Sequence, residues 1–235
     1  MIKSSFQGFF WKTKTQKVNI NDIEISIECL QSLDGTIDDL FHYLDSKGHK
    51  DLLEELSPYF GCIWPSGIAL TRYLLSCFGK NKTDHLQKHP KSFRFCEVGC
   101  GLAIPSLFLS KALPLSRFLL TDYHPEVPIF LEVNLRLNSL DTHQIIYQKI
   151  DWKSLSSLNI QKQDWVIGSD LLYEKENPKL LADTLLYLIK QDGRIVIADP
   201  GRPYLEPFVQ EMKARGWQAE VHADNDIFIL DFKRI

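Results

Sequence analysis

Charge of one sign, long apolar runs and paired cysteines are all missing from this sequence, and each absence closes a class of function. Lysine and arginine number 27 against 30 aspartates and glutamates, a formal net charge of −3. That balance gives no electrostatic footprint for a nucleic-acid binder, and the charges are not gathered into blocks of one sign. A membrane span needs about 18 consecutive apolar residues. The nearest candidate, CIWPSGIALTRYLLSCF, is interrupted by Pro65, Gly67 and Arg72. The five cysteines (Cys29, Cys62, Cys77, Cys96, Cys100) are odd in number and include no C-x-x-C pair. Neither a disulfide framework nor a metal site is expected, and each thiol reads as a small buried hydrophobe in a reducing compartment. Internal repeats and low-complexity tracts are absent too.

The first residues, MIKSSFQGFFWKTKTQK, are basic and free of acids, which weakly resembles a transit peptide. They are rich in Lys rather than Arg, however, and lack a small-residue cleavage site after an apolar stretch. The expected location is therefore the cytoplasm, with mitochondria the lesser alternative.

What is present is an ordinary globular composition, 44% hydrophobic and 24% charged over 235 residues, enough for one sizeable core. From residue 92 onward strand and helix patterns alternate. SFRFCEVG reads as a strand, AIPSLFLSKAL as a helix, RFLLTD as a strand, and PEVPIFLEVNLRLN as a helix with Pro128 in its first turn, where a missing N–H costs nothing. IIYQKI, DWVIGSD and RIVIAD are further strands; PKLLADTLLYLIK and YLEPFVQEMKARG are helices after the last two. WQAEVHA and IFILDFKRI end the chain as two strands joined by ADND. Such alternation implies βαβ units and a parallel sheet covered on both faces. The expected fold is α/β: a doubly wound, Rossmann-like seven-strand sheet with an antiparallel C-terminal strand. Residues 1–91 read as an N-terminal cap, with a β-hairpin about Asn21-Asp22 and two helices, and 92–235 as the main domain. NKTDHLQKHPKS reads as a polar surface loop.

In doubly wound sheets ligands bind beyond the carboxyl ends of the strands, so the residues closing each strand carry the functional reading. The first strand closes with Glu97-Val98-Gly99-Cys100-Gly101-Leu102-Ala103. Glycines at 99 and 101 allow a sharp turn and close approach of a ligand. A dinucleotide fingerprint would place Gly or Ala at 104, where Ile104 stands, followed by Pro105, so no phosphate cradle is provided. Glu97 suits a cationic ligand better than a phosphate. Asp122, closing the second strand, can accept from both hydroxyls of a ribose. Asp151-Trp152, after the third, can accept from an adenine amino group and cover the ring. Asp170 and Asp199 close the fourth and fifth strands. Any one of these acids alone reads equally as a loop carboxylate or helix cap; five on one rim do not.

With these residues in hand, the chain resembles the class I methyltransferases that use S-adenosyl-L-methionine. Within them it resembles the seven-strand protein lysine methyltransferase group, through Glu97-Val-Gly99-Cys-Gly101, Trp64-Pro65, Asp151-Trp152 and Asp170-Leu-Leu-Tyr173. ADPGRP, Ala198 to Pro203, looks most like the branch that methylates the β subunit of electron transfer flavoprotein. The resemblance covers roughly residues 60–205 and departs at Ala103, where many relatives carry a third glycine. It implies that Trp64, Glu97, Gly99, Gly101, Asp122, Asp151, Trp152 and Ser169 hold S-adenosyl-L-methionine, with Trp64 over the cofactor, Glu97 on its amino group, Asp122 on the ribose and Trp152 on the adenine. Asp170 and Tyr173 are then the catalytic pair that receives and aims a lysine of a protein substrate, without nucleic acid, membrane or metal.

Other acceptors are weighed on the same loop. Enzymes that methylate base amino groups carry an Asn/Asp-Pro-Pro-Tyr/Phe loop, and DLLY lacks both prolines. Arginine stays charged, so its methylation favours two close carboxylates; Glu174 and Glu176 are candidates for the second, although a solvated helix start accounts for them as well. A metabolite amine or acid as acceptor and a non-catalytic binding module remain as alternatives. Arg202 is read either as free to contact an acidic substrate surface or as part of a tight turn after Asp199.

Overall fold

The computed structural model describes residues 1–79, 92–157 and 159–235. The polar loop expected at 81–92 therefore lies outside the described residues, except for Ser92. The chain opens with two short paired strands, β1 (Ile2–Lys3) and β2 (Phe10–Trp11), which sequence patterning does not reveal. β3 (Thr13–Ile20) and β4 (Ile23–Leu30) form the hairpin expected about Asn21-Asp22, with Asn21 at φ 53° in the turn. Helix α1 (Leu33–Lys47) starts at Ser32, whose side chain accepts from the Gly35 N–H, and stops at Gly48 in the left-handed conformation. A 3-10 turn, Pro58–Gly61, leads to α2 (Pro65–Phe78), which has proline in its first turn.

The alternation after residue 92 is as the sequence indicates. Its elements are β5 (Arg94–Val98), α3 (Ile104–Ala112), β6 (Arg117–Asp122), α4 (Val127–Leu137), β7 (Ile145–Lys149), β8 (Gln163–Ser169), α5 (Asn177–Leu188), β9 (Ile189–Asp199), α6 (Leu205–Ala214), β10 (Trp217–Asp224) and β11 (Ile227–Arg234). They build a seven-stranded sheet in the order β10-β11-β9-β8-β5-β6-β7. All neighbours from β9 to β7 run parallel; β11 is antiparallel to both β9 and β10. The chain winds outward from β5 to β7, then crosses to β8 and winds the other way. The switch between β5 and β8 leaves a crevice at the strand carboxyl ends.

One boundary differs from the sequence reading. The helix expected to run through Lys190 ends at Leu188, because Ile189 already pairs with Gln163 at the foot of β8. An irregularity before Trp165↔Arg194 absorbs residues 190–193, so β9 is longer than RIVIAD.

Two apolar cores lie on opposite faces of the sheet. One joins Trp11, Ile25, Ile27 and Leu40 from the N-terminal part to Leu70, Leu107, Phe118 and Phe130; the other gathers Leu181, Leu185, Phe208, Met212 and Trp217. The basic N-terminal stretch is thus built into the molecule. Trp11 is fully buried and its Nε1–H donates to Glu126 at 2.6 Å. The edge of β4 is closed by Asn134 of α4 and by Asn138, the residue that caps that helix. Asn134 exchanges hydrogen bonds with the N–H and C=O of Glu28, at 2.7 and 3.2 Å, and Asn138 does the same with Ser26, at 2.9 and 2.7 Å. Four residues of helix rise about 6 Å and two residues of strand about 6.7 Å, so amides one turn apart can stand in for a neighbouring strand.

Candidate active site

The glycine loop after β5 owes its shape to backbone geometry that few side chains tolerate. Gly99 and Gly101 have φ of 59° and 48°. A Cβ on Gly99 would lie 2.4 Å from Leu171 Cδ2, and one on Gly101 would lie 2.9 Å from the Phe60 carbonyl oxygen. The loop is therefore gripped from one side by the DLLY segment and from the other by the 3-10 turn before Trp64. Phe60 stands on a buried ring cluster: its centroid is 4.3 Å from His124 and 5.8 Å from Trp11.

Glu97, at the end of β5, is 2% exposed. Its Oε2 accepts from the backbone N–H of Ser106 at 3.0 Å and from the Ser106 hydroxyl, at the start of α3. Burial pushes its pKa up to about 8 against these hydrogen bonds, which lower it. The expectation that Glu97 holds the cofactor's amino group gains a constraint. One oxygen is committed to the helix start, where unpaired N–H groups demand an acceptor. In a site with no cation at hand the group favours its neutral form.

Asp122 closes β6 and has its carboxylate turned to the loop. Oδ2 accepts from Gly101 N at 2.9 Å; Oδ1 accepts from Tyr123 N at 2.7 Å and His124 N at 2.9 Å. A carboxylate offers about four lone-pair positions, so Oδ2 keeps one for a further donor. Burial, outweighing these three bonds, raises its pKa above the ordinary value. Asp151 is exposed, and its Oδ1 accepts from Lys153 N at 2.9 Å, starting the 3-10 turn Trp152–Ser157. Trp152 is half-buried beside the second core, its Cζ2 4.0 Å from where a Gly99 Cβ would stand. Trp64, also half-buried, caps α2 and anchors its Nε1–H on the Tyr59 carbonyl at 2.9 Å.

GSDLLYE resolves into inward and outward residues. Leu171 and Leu172 are buried in the second core, and the Asn177 amide ties the Leu171 carbonyl at 2.8 Å. This pins the loop and leaves Asp170 and Tyr173 on the rim. Asp170 adopts φ 60°, a conformation that aspartate tolerates better than most residues, while its N–H continues the β8–β9 pairing by donating to Ala198 O at 3.0 Å. Its Oδ1 pairs with Arg202 Nη1 at 2.8 Å, and the buried Oδ2 has no hydrogen-bond partner among the described residues. Burial is the largest influence and raises the Asp170 pKa; Arg202 and the Ser66 hydroxyl, from the first turn of α2, pull it down. Tyr173 is 60% exposed, yet crowding about its hydroxyl pushes the pKa up to about 12. Ser169 faces the start of α2, its Oγ 3.5 Å from the position of a Gly67 Cβ.

The structure thus gathers the residues singled out in the sequence along one rim and adds Ser66, Phe60, Ser106 and the Arg202–Asp199 pair, which the strand-end reading passed over or left open. Asp199 is fully buried; its Oδ1 accepts from Gly201 N at 2.9 Å and Arg202 N at 2.7 Å, and its Oδ2 pairs with Arg202 Nη1 at 2.9 Å. Arg202 is therefore not free to reach an acidic substrate surface. Glu174 and Glu176 are exposed, and Glu176 precedes α5 with Lys153 at 3.5 Å, as a solvated helix start would be.

A family model described as lysine methyltransferase matches residues 51–214, from ahead of the Pro58–Gly61 turn to the end of α6. The chain belongs to that family. Among curated relatives of this lysine methyltransferase family member is the electron transfer flavoprotein beta subunit lysine methyltransferase of Homo sapiens, 32% identical, over 65% of this chain and 53% of that one. A histone-arginine methyltransferase of Rattus norvegicus is 25% identical over 57% of this chain and 55% of its own length. The chain spans about half the length of the curated relatives it matches. Among solved structures, the Thermus thermophilus 16S rRNA N2 G1207 methyltransferase bound to AdoMet and guanosine superposes with a TM-score of 0.63 at 10% identity, over 95% of this chain and 51% of that one. That likeness establishes the fold. No cluster of three His, Cys, Asp or Glu suited to a metal ion occurs among the described residues, and none of their helices is long and apolar enough to cross a membrane.

Proposed function

We propose that this chain transfers a methyl group from S-adenosyl-L-methionine to the ε-amino group of a lysine in a protein. The observation that carries the reading is the rim of the β5–β8 crevice in a lysine methyltransferase family member, where Asp170 gives one oxygen to Arg202 and its covered Oδ2 has no hydrogen-bond partner among the described residues. When bound, S-adenosyl-L-methionine supplies a sulfonium-activated methyl group and leaves as the uncharged thioether. The residues fit such a group. The turn at Gly99 and Gly101, at positive φ and packed against Leu171 and Phe60, shapes the backbone of the crevice, Asp122 keeps an acceptor position for a ribose hydroxyl, and Trp152 with Asp151 is suited to cover an adenine. Glu97 can regain its charge beside the cofactor's ammonium. Trp64 and Ser169 complete the wall from the α2 side.

Toward the acceptor, Asp170 receives the amine and Tyr173 offers its hydroxyl oxygen. A lysine at its usual pKa of roughly 10.4 must give a proton to solvent first, costing about 4.6 kcal/mol at pH 7. A carboxylate alone would increase that cost by stabilising the ammonium. Asp170 is thus an aiming group rather than a strong base, and holding the amine in line supplies much of the rate.

Arginine as the acceptor is the weaker reading, because Asp170 already holds a guanidinium, that of Arg202, and the candidate second acids Glu174 and Glu176 are exposed, with Glu176 beside Lys153. Residues 92–235 form the methyltransferase domain in this proposal, and residues 1–91 frame the acceptor. The free thiols suit a reducing cytoplasm. The test is incubation with isotope-labelled S-adenosyl-L-methionine of a whole-cell extract and of recombinant electron transfer flavoprotein β subunit, followed by mass-spectrometric location of the mark. Label on protein lysines supports the reading. Label confined to small metabolites or to arginine sinks it.

A further inference from the structure

We propose that Arg202 is a positioning residue for the acceptor amine: anchored on Asp199, it ties down one oxygen of Asp170 and leaves the other to receive the substrate. The inference rests on the lysine reading above and assigns a job to a side chain that contacts neither cofactor nor acceptor directly.

The geometry is built from the fold outward. Asp199 ends β9 with no exposed surface, and its Oδ1 is consumed by the turn it caps, accepting from Gly201 N and Arg202 N. Its Oδ2 is left for Arg202 Nη1 at 2.9 Å. The same Nη1 lies 2.8 Å from Asp170 Oδ1. One guanidinium nitrogen thus bridges the carboxylates closing two adjacent strands, and both pairs are largely shielded, with Arg202 27%, Asp170 14% and Asp199 0% exposed at the side chain. The Asp170 backbone is fixed by the Ala198 bond and by the buried leucines that follow, and its carboxylate is held by Arg202. What remains is a single acceptor atom, Oδ2, covered and without a hydrogen-bond partner among the described residues.

Two consequences follow for chemistry. An unbridged carboxylate offers an ammonium two oxygens and a full charge, which both loosens its orientation and strengthens the protonated form that cannot react. A fixed guanidinium beside the carboxylate removes one oxygen and opposes the ammonium, so the bound amine gives up its proton more readily. Burial about Asp170 acts in the same sense by weakening its hold on charge. The groups that act most on the Asp170 carboxylate are Arg202 and Asp199 from the β9–α6 turn and the neutral Ser66 from α2. Arg202 is the one cation among them. The bridge also excludes a guanidinium acceptor, whose fork would have to displace Arg202.

The test is a pH–rate profile of wild type, Arg202→Gln and Arg202→Lys between pH 6 and 10, reading protein-bound tritium transferred from saturating S-adenosyl-L-methionine to a heat-treated cell extract. Cofactor affinity is measured alongside by calorimetry. With the cation removed, the acid limb should move upward by about one pH unit, so that transfer at pH 7 falls about tenfold and largely recovers near pH 9.5, with cofactor affinity unchanged. Arg202→Lys keeps the charge, so its limb should stay at the wild-type position while its plateau drops severalfold because Lys cannot bridge the two acids equally well. A profile for Arg202→Gln that superposes on wild type, or that falls uniformly at every pH, overturns the inference. If Arg202→Gln does not fold, Arg202→Met is read in its place: an acid limb moved upward supports the role, and an unmoved limb refutes it. If wild type itself marks no protein lysine, the functional reading has failed, a result distinct from either outcome with the variants.

Discussion

Replacing Glu97 by Gln tests the electrostatics of the site without removing its geometry. The amide oxygen of Gln can still accept from Ser106 N and Oγ, so the start of α3 keeps its partner. What changes is the proton. Burial holds the Glu97 pKa at about 8, against an ordinary 4.5. Between those values the folded protein binds a proton that the unfolded chain has released. Stability from this group is therefore complete below pH 4.5 and is lost as pH rises to 8, with a slope approaching about 1.4 kcal/mol per unit. Gln cannot ionise in either state. The stability of Glu97→Gln relative to wild type should consequently grow by roughly 3–4 kcal/mol between pH 5 and pH 8, about 10 °C in melting temperature for a chain of this size. Taking the difference cancels the titrating groups that do not interact with Glu97. The assay is urea or thermal unfolding of both proteins at half-unit steps of pH. Cofactor binding should show the opposite preference: wild type should release up to one proton on binding S-adenosyl-L-methionine near pH 7, and Glu97→Gln should bind weakly without proton release. A stability difference that stays flat from pH 5 to 8 would mean that Glu97 is ionised in the folded enzyme, and the argument from burial would be wrong.

Three further outcomes are expected. Gly101→Ala places a Cβ 2.9 Å from the Phe60 carbonyl at φ 48°, so either the turn or the loop must retreat. The cost should be about 1–3 kcal/mol with a marked loss of cofactor affinity, read by unfolding and calorimetry. Trp11→Phe removes the indole N–H that donates to fully buried Glu126 and loosens the rings beneath Phe60. It should lower stability by about 1–3 kcal/mol in urea titrations and weaken cofactor binding, although Trp11 lies on the far side of that ring cluster. Asp170→Ala should bind S-adenosyl-L-methionine as wild type does and lose at least about a hundredfold in transfer, measured with labelled cofactor; unchanged transfer would remove Asp170 from the site.

Much of this protein can be read along the chain, for reasons of period and punctuation. Strands buried on both faces are short apolar runs, and the helices between them carry proline at the start or glycine after the end, so βαβ alternation is visible in one dimension. A ligand in such a sheet can only lie beyond the strand carboxyl ends, which is why Glu97, Asp122, Asp151 and Asp170 stand out without coordinates. Even the direction of the DLLY loop is implicit, since two adjacent leucines seek the core and leave their neighbours outside.

The sequence by itself determined the α/β class, the terminal hairpin, and the rim on which the acids gather. The tertiary structure decided which lone pairs on that rim are free. Glu97 is half-committed to Ser106, nine residues away, and Arg202, for which the sequence left two readings open, bridges Asp199 and Asp170. Asn134 and Asn138 likewise act as a substitute strand for β4, more than a hundred residues away in sequence. None of these has a periodic signature. Hydropathy patterns report which side of an element is buried, because burial depends on the element's own repeat. Whether a buried polar atom is satisfied depends on a partner brought by another element, and that is settled only when the chain has folded.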